Sequence, residues 1–128
     1  MVSIRKLPLV LAALVYAIGR TSGCHINPAV TLGLLVARQL SVAKAALYIV
    51  AQFGGALLAT LLSLRLGPAA SLPQAAGAWA EFWGFGLLIL TVLAVSHKAV
   101  PEAGGGVAIG AALAAGLTLS GGILNPAV

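Results

Sequence analysis

Long apolar runs and short polar interruptions alternate along this chain. The apolar runs occupy residues 7–19, 29–37, 43–64, 78–96 and 104–119. Because a helix needs about 20 residues to cross the hydrocarbon layer of a bilayer, the last three runs are predicted to be full membrane spans. The run 7–19 would cross only with a few residues added at its ends. The run 29–37 is predicted to be a helix that enters the bilayer to about half its depth.

A nine-residue sequence occurs twice, as SGCHINPAV at residues 22–30 and as SGGILNPAV at residues 120–128. The copies are 98 residues apart and share six identical positions. Asn is a strong helix N-cap, and Pro is favoured at the first helical position, where its missing N–H costs nothing. The preceding Gly lets the chain turn. Each copy is therefore predicted to begin a helix. The run after the first copy stops at Arg38, which is typical of a re-entrant half-helix.

The composition changes the picture from helical to integral membrane protein. Of the 128 residues, 61% are hydrophobic and 7% are charged, with a mean hydropathy of +1.11. A soluble domain carries about a quarter charged residues. Residues 1–128 are predicted to form one all-α membrane domain, since a membrane barrel would show alternating segments. The seven basic residues are scattered, which indicates topology-setting loop charges and gives no expectation of a nucleic-acid partner.

A few polar or small residues interrupt the predicted spans. Gln52 must face a partner helix or a wet cavity, because a polar group in lipid needs a hydrogen-bond partner. The pair Gly54 and Gly55 favours close contact with another helix. Glu81 is either a functional or pairing carboxylate, or an interfacial residue that reaches water. We expect no catalytic residue, cofactor or metal site, since neither catalytic motifs nor metal-ligand spacings occur.

Four segments together resemble the major intrinsic proteins, the aquaporin and glyceroporin family. They are SGCHINPAVTL at 22–32, AQFGGA at 51–56, EFWG at 81–84 and SGGILNPAV at 120–128. The resemblance implies an inverted repeat of six tilted helices with two re-entrant half-helices. The first and sixth membrane helices and most of the second half-helix would be missing, so we expect a chain truncated at both ends.

The resemblance also implies a passive channel for water, small uncharged solutes, or both. Its two pore motifs would consist of Asn27, Pro28, Ala29, Asn125, Pro126 and Ala127. The two Asn amides would donate to the permeant, while two positive half-helix ends oppose cations. The residues before each Asn would be extended, and their carbonyls would line the pore. These residues are Gly23, Cys24, His25, Gly121, Gly122 and Ile123.

By position in the family motif, Leu7, Leu113, Gly122 and Val128 would form the selectivity constriction. The family usually has Arg where this chain has Val128, so the constriction is apolar and selection for water is weakened. Glu81 resembles a family carboxylate that holds the second pore loop. His25 is expected to pack and to form hydrogen bonds rather than to carry protons. Cys24 is expected to be exposed to the pore, so that a mercurial bound to it would block transport.

Three other interpretations stay open at this point. They are a non-transporting structural membrane protein, an inactive fragment, and an ion-coupled secondary transporter built from broken helices. An enzyme is not expected. The expected partners are water or a small neutral solute and the lipid bilayer. The resemblance adds a homotetramer and a multi-pass position in the cell membrane.

Overall fold

The part of the chain that the structure describes consists of α-helices and connecting turns. The structure, a computed structural model, describes residues 6–66 and 77–128. The described residues form five α-helices, which are α1 (Leu7–Ser22), α2 (Pro28–Val36), α3 (Val42–Leu66), α4 (Ala78–Ser96) and α5 (Gly105–Ser120). A short 3₁₀ turn, Glu102–Gly104, leads directly into α5, and the described residues include no strand.

Within the described part of the chain, three helical stretches are long and apolar enough to cross a membrane. They are α3, α4 and the continuous stretch Glu102–Ser120. Helix α1 has 16 residues and is therefore about 24 Å long, less than the ~30 Å of a hydrocarbon layer. Helix α2 has nine residues, about half that thickness. The prediction of an all-α membrane protein is confirmed, and each apolar run corresponds to one helix.

The described residues fall into two compact units. The first contains residues 6–24 and 77–124, and the second contains residues 25–66 and 125–128. In the first unit α5 packs against both α1 and α4, and in the second α2 packs against α3. That residues 1–128 act as one channel domain stays a prediction.

Glycines allow α5 to approach its two neighbours closely. A Cβ added at Gly116 would lie 2.8 Å from the Gly84 carbonyl oxygen, and one added at Gly84 would lie 2.8 Å from the Gly116 oxygen. A Cβ at Gly110 would lie 2.8 Å from the carbonyl oxygen of Pro8 on α1. Since contacts below 3.0 Å force something to move, only Gly fits these crossings.

Tyr16 joins α1 to the start of α5. Its hydroxyl donates to the Ala103 carbonyl at 2.7 Å and accepts from the Val107 N–H at 3.2 Å. The Tyr16 ring packs directly on Gly106, and a Cβ added at Gly106 would lie 2.6 Å from the nearest ring carbon. The hydroxyl therefore accepts from an N–H in the first turn of α5, where N–H groups lack intrahelical partners, and donates to a carbonyl just before the helix.

One packing prediction, which concerns the second unit, stays a prediction. We expected Gly54 and Gly55 to mark a close helix contact. A Cβ at either position meets nothing within 4 Å among the described residues, and both glycines are exposed. Close glycine contacts occur instead along α5 in the first unit. Small residues permit close approach but do not specify which helix approaches them.

Candidate functional site

The first repeat copy is a helix end, a tight turn and a new helix start. Helix α1 ends at Ser22, and Gly23 follows with a left-handed φ of 74°. The Ser22 hydroxyl accepts from the N–H of Cys24 at 3.2 Å. Asn27 then caps α2, because its Oδ1 accepts from the N–H of Ala29 at 2.9 Å. Asn27 is buried, with 7% of its surface exposed.

The second copy repeats this local geometry step by step. Helix α5 ends at Ser120, and Gly121 follows with a φ of 60°. The Ser120 hydroxyl accepts from the N–H of Gly122 at 3.0 Å. The Oδ1 of Asn125 accepts from the N–H of Ala127 at 3.0 Å. The sequence repeat is thus also a repeat of hydrogen bonds: Asn27 caps α2 as predicted, and Asn125 makes the same bond in a turn.

The backbone before each Asn is not uniformly extended, so that part of the prediction is wrong. Ile26 has a φ of 50° and Leu124 a φ of 55°, and Cys24 has a φ of 48°. The left-handed region costs a non-glycine residue on the order of 1–3 kcal/mol. These φ values turn the backbone locally at each of the three residues.

A residue of the second copy bonds to the first copy within the second unit. The Nδ2 of Asn125 donates to the carbonyl oxygen of Ile26 at 3.1 Å. Both residues belong to the second unit. One of the two side-chain N–H groups of Asn125 therefore holds the backbone just before Asn27. The Oδ1 of Asn125 accepts from the N–H of Ala127 in the turn after Asn125.

Two contacts within the first unit hold the segment before Asn125. The Oε1 of Glu81 accepts from the N–H of Ile123 at 3.2 Å. Leu124 is 4% exposed, and its methyl groups lie over the glycines of the α4–α5 crossing, Gly84 and Gly116. The packing of Leu124 against the two glycines and the hydrogen bond from Ile123 to Glu81 together fix the position of this loop on α4 and α5.

Gln52 and His25 meet at a residue that the sequence did not single out. The Gln52 Nε2 donates to the Thr31 hydroxyl at 2.9 Å. The Nδ1 of His25 lies 3.2 Å from the same hydroxyl oxygen. The His25 ring stacks on Tyr48 of α3, with centroids 4.3 Å apart and planes at 22°. Thr31 is fully buried and lies four residues after Asn27, a spacing that brings its side chain under the cap.

The four predicted constriction residues are divided between the units. Leu7, Leu113 and Gly122 belong to the first unit, and Val128 belongs to the second. Leu113 is 9% exposed and Gly122 is buried, whereas Val128 is 60% exposed. Leu7 begins α1, next to Pro8, which contacts α5 one turn before Leu113. Their role as a constriction stays a prediction.

The other predicted site residues lie in the same two turns. Cys24 is buried, with 6% of its surface exposed, and Gly23 and Gly121 are the C-caps described above. Pro28 begins α2, and Pro126 follows Asn125 in a turn. Among residues 6–66 and 77–128, no group of three His, Cys, Asp or Glu side chains lies close enough to hold a metal ion.

Comparison with known proteins defines the class of this all-α membrane protein. The profile of the family named Major intrinsic protein matches residues 5–128. The probable aquaporin AqpM of Archaeoglobus fulgidus is 37% identical, over 93% of this chain and 56% of the relative. Aquaporin-1 of Sus scrofa is 38% identical, over 88% of this chain and 46% of the relative. Aquaporin AqpM of Methanothermobacter thermautotrophicus is 35% identical, over 91% and 55%.

The chain belongs to the major intrinsic protein family. The profile covers nearly all of it, and the predicted resemblance is thereby confirmed. Family membership, together with the long apolar helices among the described residues, places the chain among membrane proteins. The chain spans about half the length of the curated relatives it matches.

Proposed function

We propose that this protein is a passive channel for water and small uncharged solutes. The observation that carries the proposal is the doubled cap geometry, in which two Asn side chains hold two matching turns. The family match and the names of the relatives, which are aquaporins, support the same class of activity. No relative described above is named as an ion-coupled transporter or as a structural membrane protein.

A half-helix beginning at Asn27 supplies a fixed positive potential. The aligned peptides of a helix place about half an elementary charge at its N-terminus. Helix α2 begins at Pro28 and is too short to cross the bilayer, so this end would lie within the hydrocarbon layer. Cations and protons would therefore meet an unfavourable potential there, while a neutral solute would not.

The Asn side chains supply donors for the oxygen of the permeant. The Oδ1 of Asn125 accepts from the N–H of Ala127, and one side-chain N–H donates to the Ile26 carbonyl. Its second side-chain N–H is then the donor toward a passing molecule. A molecule that accepts from this donor is oriented with its own hydrogens pointing away. The carbonyls of the turns before each Asn would then receive those hydrogens.

The predicted constriction decides which solutes pass. With Leu7, Leu113, Gly122 and Val128 around it, the passage would have no fixed charge and few donors. Rejecting a polyol in favour of water needs a narrow, strongly polar site, whereas an apolar ring tolerates the CH₂ groups of glycerol. We therefore propose that glycerol and water both permeate. The family resemblance also leads us to propose a homotetramer in the cell membrane.

Two solutes and one isosteric variant test this proposal. Proteoliposomes containing the protein should shrink and stay shrunken in external sucrose. In external glycerol they should shrink and then re-swell as glycerol enters. Asn125→Asp keeps the cap acceptor and removes the N–H donors, so it should slow both fluxes severalfold. Thr60→Val, an exposed hydroxyl on α3 that bonds only within its own helix, is the matched control and should leave both fluxes unchanged. Asn125→Asp vesicles with wild-type fluxes would contradict the donor role, and water flux without glycerol flux would contradict the constriction.

A further inference from the structure

The Thr31 hydroxyl is a junction of three hydrogen-bonding groups inside the second unit. Its oxygen lies 3.2 Å from the carbonyl oxygen of Asn27, 2.9 Å from Nε2 of Gln52 and 3.2 Å from Nδ1 of His25. Thr31 has no exposed surface, so water cannot substitute for a missing partner. The arrangement of hydrogens at this junction is therefore constrained.

Counting hydrogens at the junction assigns each of them. A hydroxyl has one hydrogen and two lone pairs. The Asn27 carbonyl, which also accepts from the Thr31 N–H at 3.0 Å, can only accept. We place the Thr31 hydrogen on it because donating that hydrogen to Nδ1 of His25 would leave one hydrogen bond fewer at the junction. The Gln52 amide nitrogen can only donate, so it takes one lone pair of Thr31. The remaining lone pair faces Nδ1 of His25, which must then carry a hydrogen and donate it.

We infer that Thr31 fixes His25 as the neutral tautomer that carries its hydrogen on Nδ1, and that Thr31 and Gln52 thereby position the backbone of the first pore turn. The positioning role rests on the proposed channel function, whereas the tautomer does not. The His25 ring is held on one side by Thr31 and on a face by Tyr48. A ring fixed in this way also fixes the peptide of His25, one of the predicted pore carbonyls.

The tautomer does not depend on how the Gln52 amide is oriented. With Nε2 toward Thr31, the amide oxygen is buried and has no hydrogen-bond partner among the described residues. With the amide reversed, Thr31 would donate to Gln52, and its lone pairs would still require a donor at Nδ1 of His25. The reversed form loses the bond from Thr31 to the Asn27 carbonyl, so the orientation found here makes one more hydrogen bond.

Solid-state nitrogen NMR of the full chain in lipid vesicles measures the tautomer directly. The chain has two histidines, and His97 also places Nδ1 on a carbonyl, that of Leu93 at 2.9 Å. The measurement therefore uses a His97→Gln background, which leaves one histidine signal. At a pH where this ring is neutral, Nδ1 of His25 should give a pyrrole-type signal bonded to hydrogen and Nε2 a pyridine-type signal. The opposite pattern would overturn the inference without any substitution near the site.

Variants at Thr31 separate positioning from simple packing. Thr31→Val has nearly the same shape without the hydroxyl, so the Nδ1–H preference of His25 should be lost and water flux should fall severalfold. Thr31→Ser keeps the hydroxyl and should restore both. An unchanged tautomer in folded Thr31→Val would overturn the tautomer assignment, and unchanged flux would overturn the positioning role. If even the wild-type chain carries no flux while His25 is the Nδ1–H form, the channel function and the positioning role fail, and the tautomer assignment stands.

Discussion

Replacing Gly84 by Ala tests the helix crossing that holds the second motif. The new Cβ would lie 2.8 Å from the Gly116 carbonyl oxygen and 3.2 Å from a Leu124 methyl group. Ordinary contact begins at 3.4 Å, so the two backbones must separate by about 3.4 − 2.8 = 0.6 Å. Because backbone cannot rotate away as a side chain can, overpacking of this kind costs about 1–3 kcal/mol.

Helix propensity acts in the opposite direction and must be removed from the measurement. Ala is favoured over Gly in a helix interior by about 1 kcal/mol. Gly86 lies two residues further along α4, and a Cβ added there meets nothing within 4 Å among the described residues. Gly86→Ala therefore gains the propensity without the clash. The difference in unfolding free energy between the two variants isolates the crossing, and it should be about 1–3 kcal/mol in favour of Gly86→Ala.

Unfolding by SDS in mixed micelles, followed by far-UV circular dichroism, provides the two free energies. Both variants lie on the same helix, so detergent effects on α4 are shared. Gly84→Ala should also disturb Leu124, which precedes Asn125, and thus reduce flux more than Gly86→Ala does. Equal stability of the two variants would refute the close crossing of α4 and α5.

Four further outcomes are expected. Tyr16→Phe should lower the unfolding free energy by about 1 kcal/mol, because the phenol hydroxyl bonds to two backbone groups at the start of α5. Unchanged stability would contradict a contribution from these two hydrogen bonds. Asn27→Ala should cost about 1 kcal/mol in the same assay through loss of the cap of α2, and a neutral result would contradict the cap. Arg20→Gln should leave stability unchanged, since Arg20 and Glu102 form their ion pair with 90% and 82% of their side chains exposed. A mercurial that labels Cys24 should slow osmotic shrinkage, and full flux after demonstrated labelling would exclude Cys24 from the pore.

The helices were predictable from sequence because their determinants are local. Apolar runs set the extent of α3, α4 and α5 to within a few residues. The Asn-Pro pair specified the start of α2, because the cap bond joins residues only two apart. The doubled motif predicted two helix starts, of which the described residues show the one at Pro28, while Asn125 makes the matching bond in a turn.

Contacts between distant residues were not predictable in the same way. Gly84 and Gly116 are 32 positions apart, and nothing local distinguishes them from Gly54 and Gly55, which make no close contact in the described part of the chain. The junction at Thr31 was missed because a threonine inside an apolar run indicates only a helix with one hydroxyl. Its function depends on Gln52, 21 residues away on another helix. The left-handed residues before each Asn were missed because Ile and Leu are unfavourable in that conformation, so the residue types at Ile26 and Leu124 gave no indication of it.

The central claim is that the doubled motif belongs to a passive aqueous pore, and one measurement tests it most directly. Stopped-flow light scattering records the osmotic shrinkage of proteoliposomes containing the chain at a series of temperatures, beside protein-free vesicles of the same lipid. Shrinkage should be several times faster with the protein and should depend only weakly on temperature, as expected for water moving through a continuous pore. Rates equal to those of protein-free vesicles, or with the same steep temperature dependence, would contradict the account.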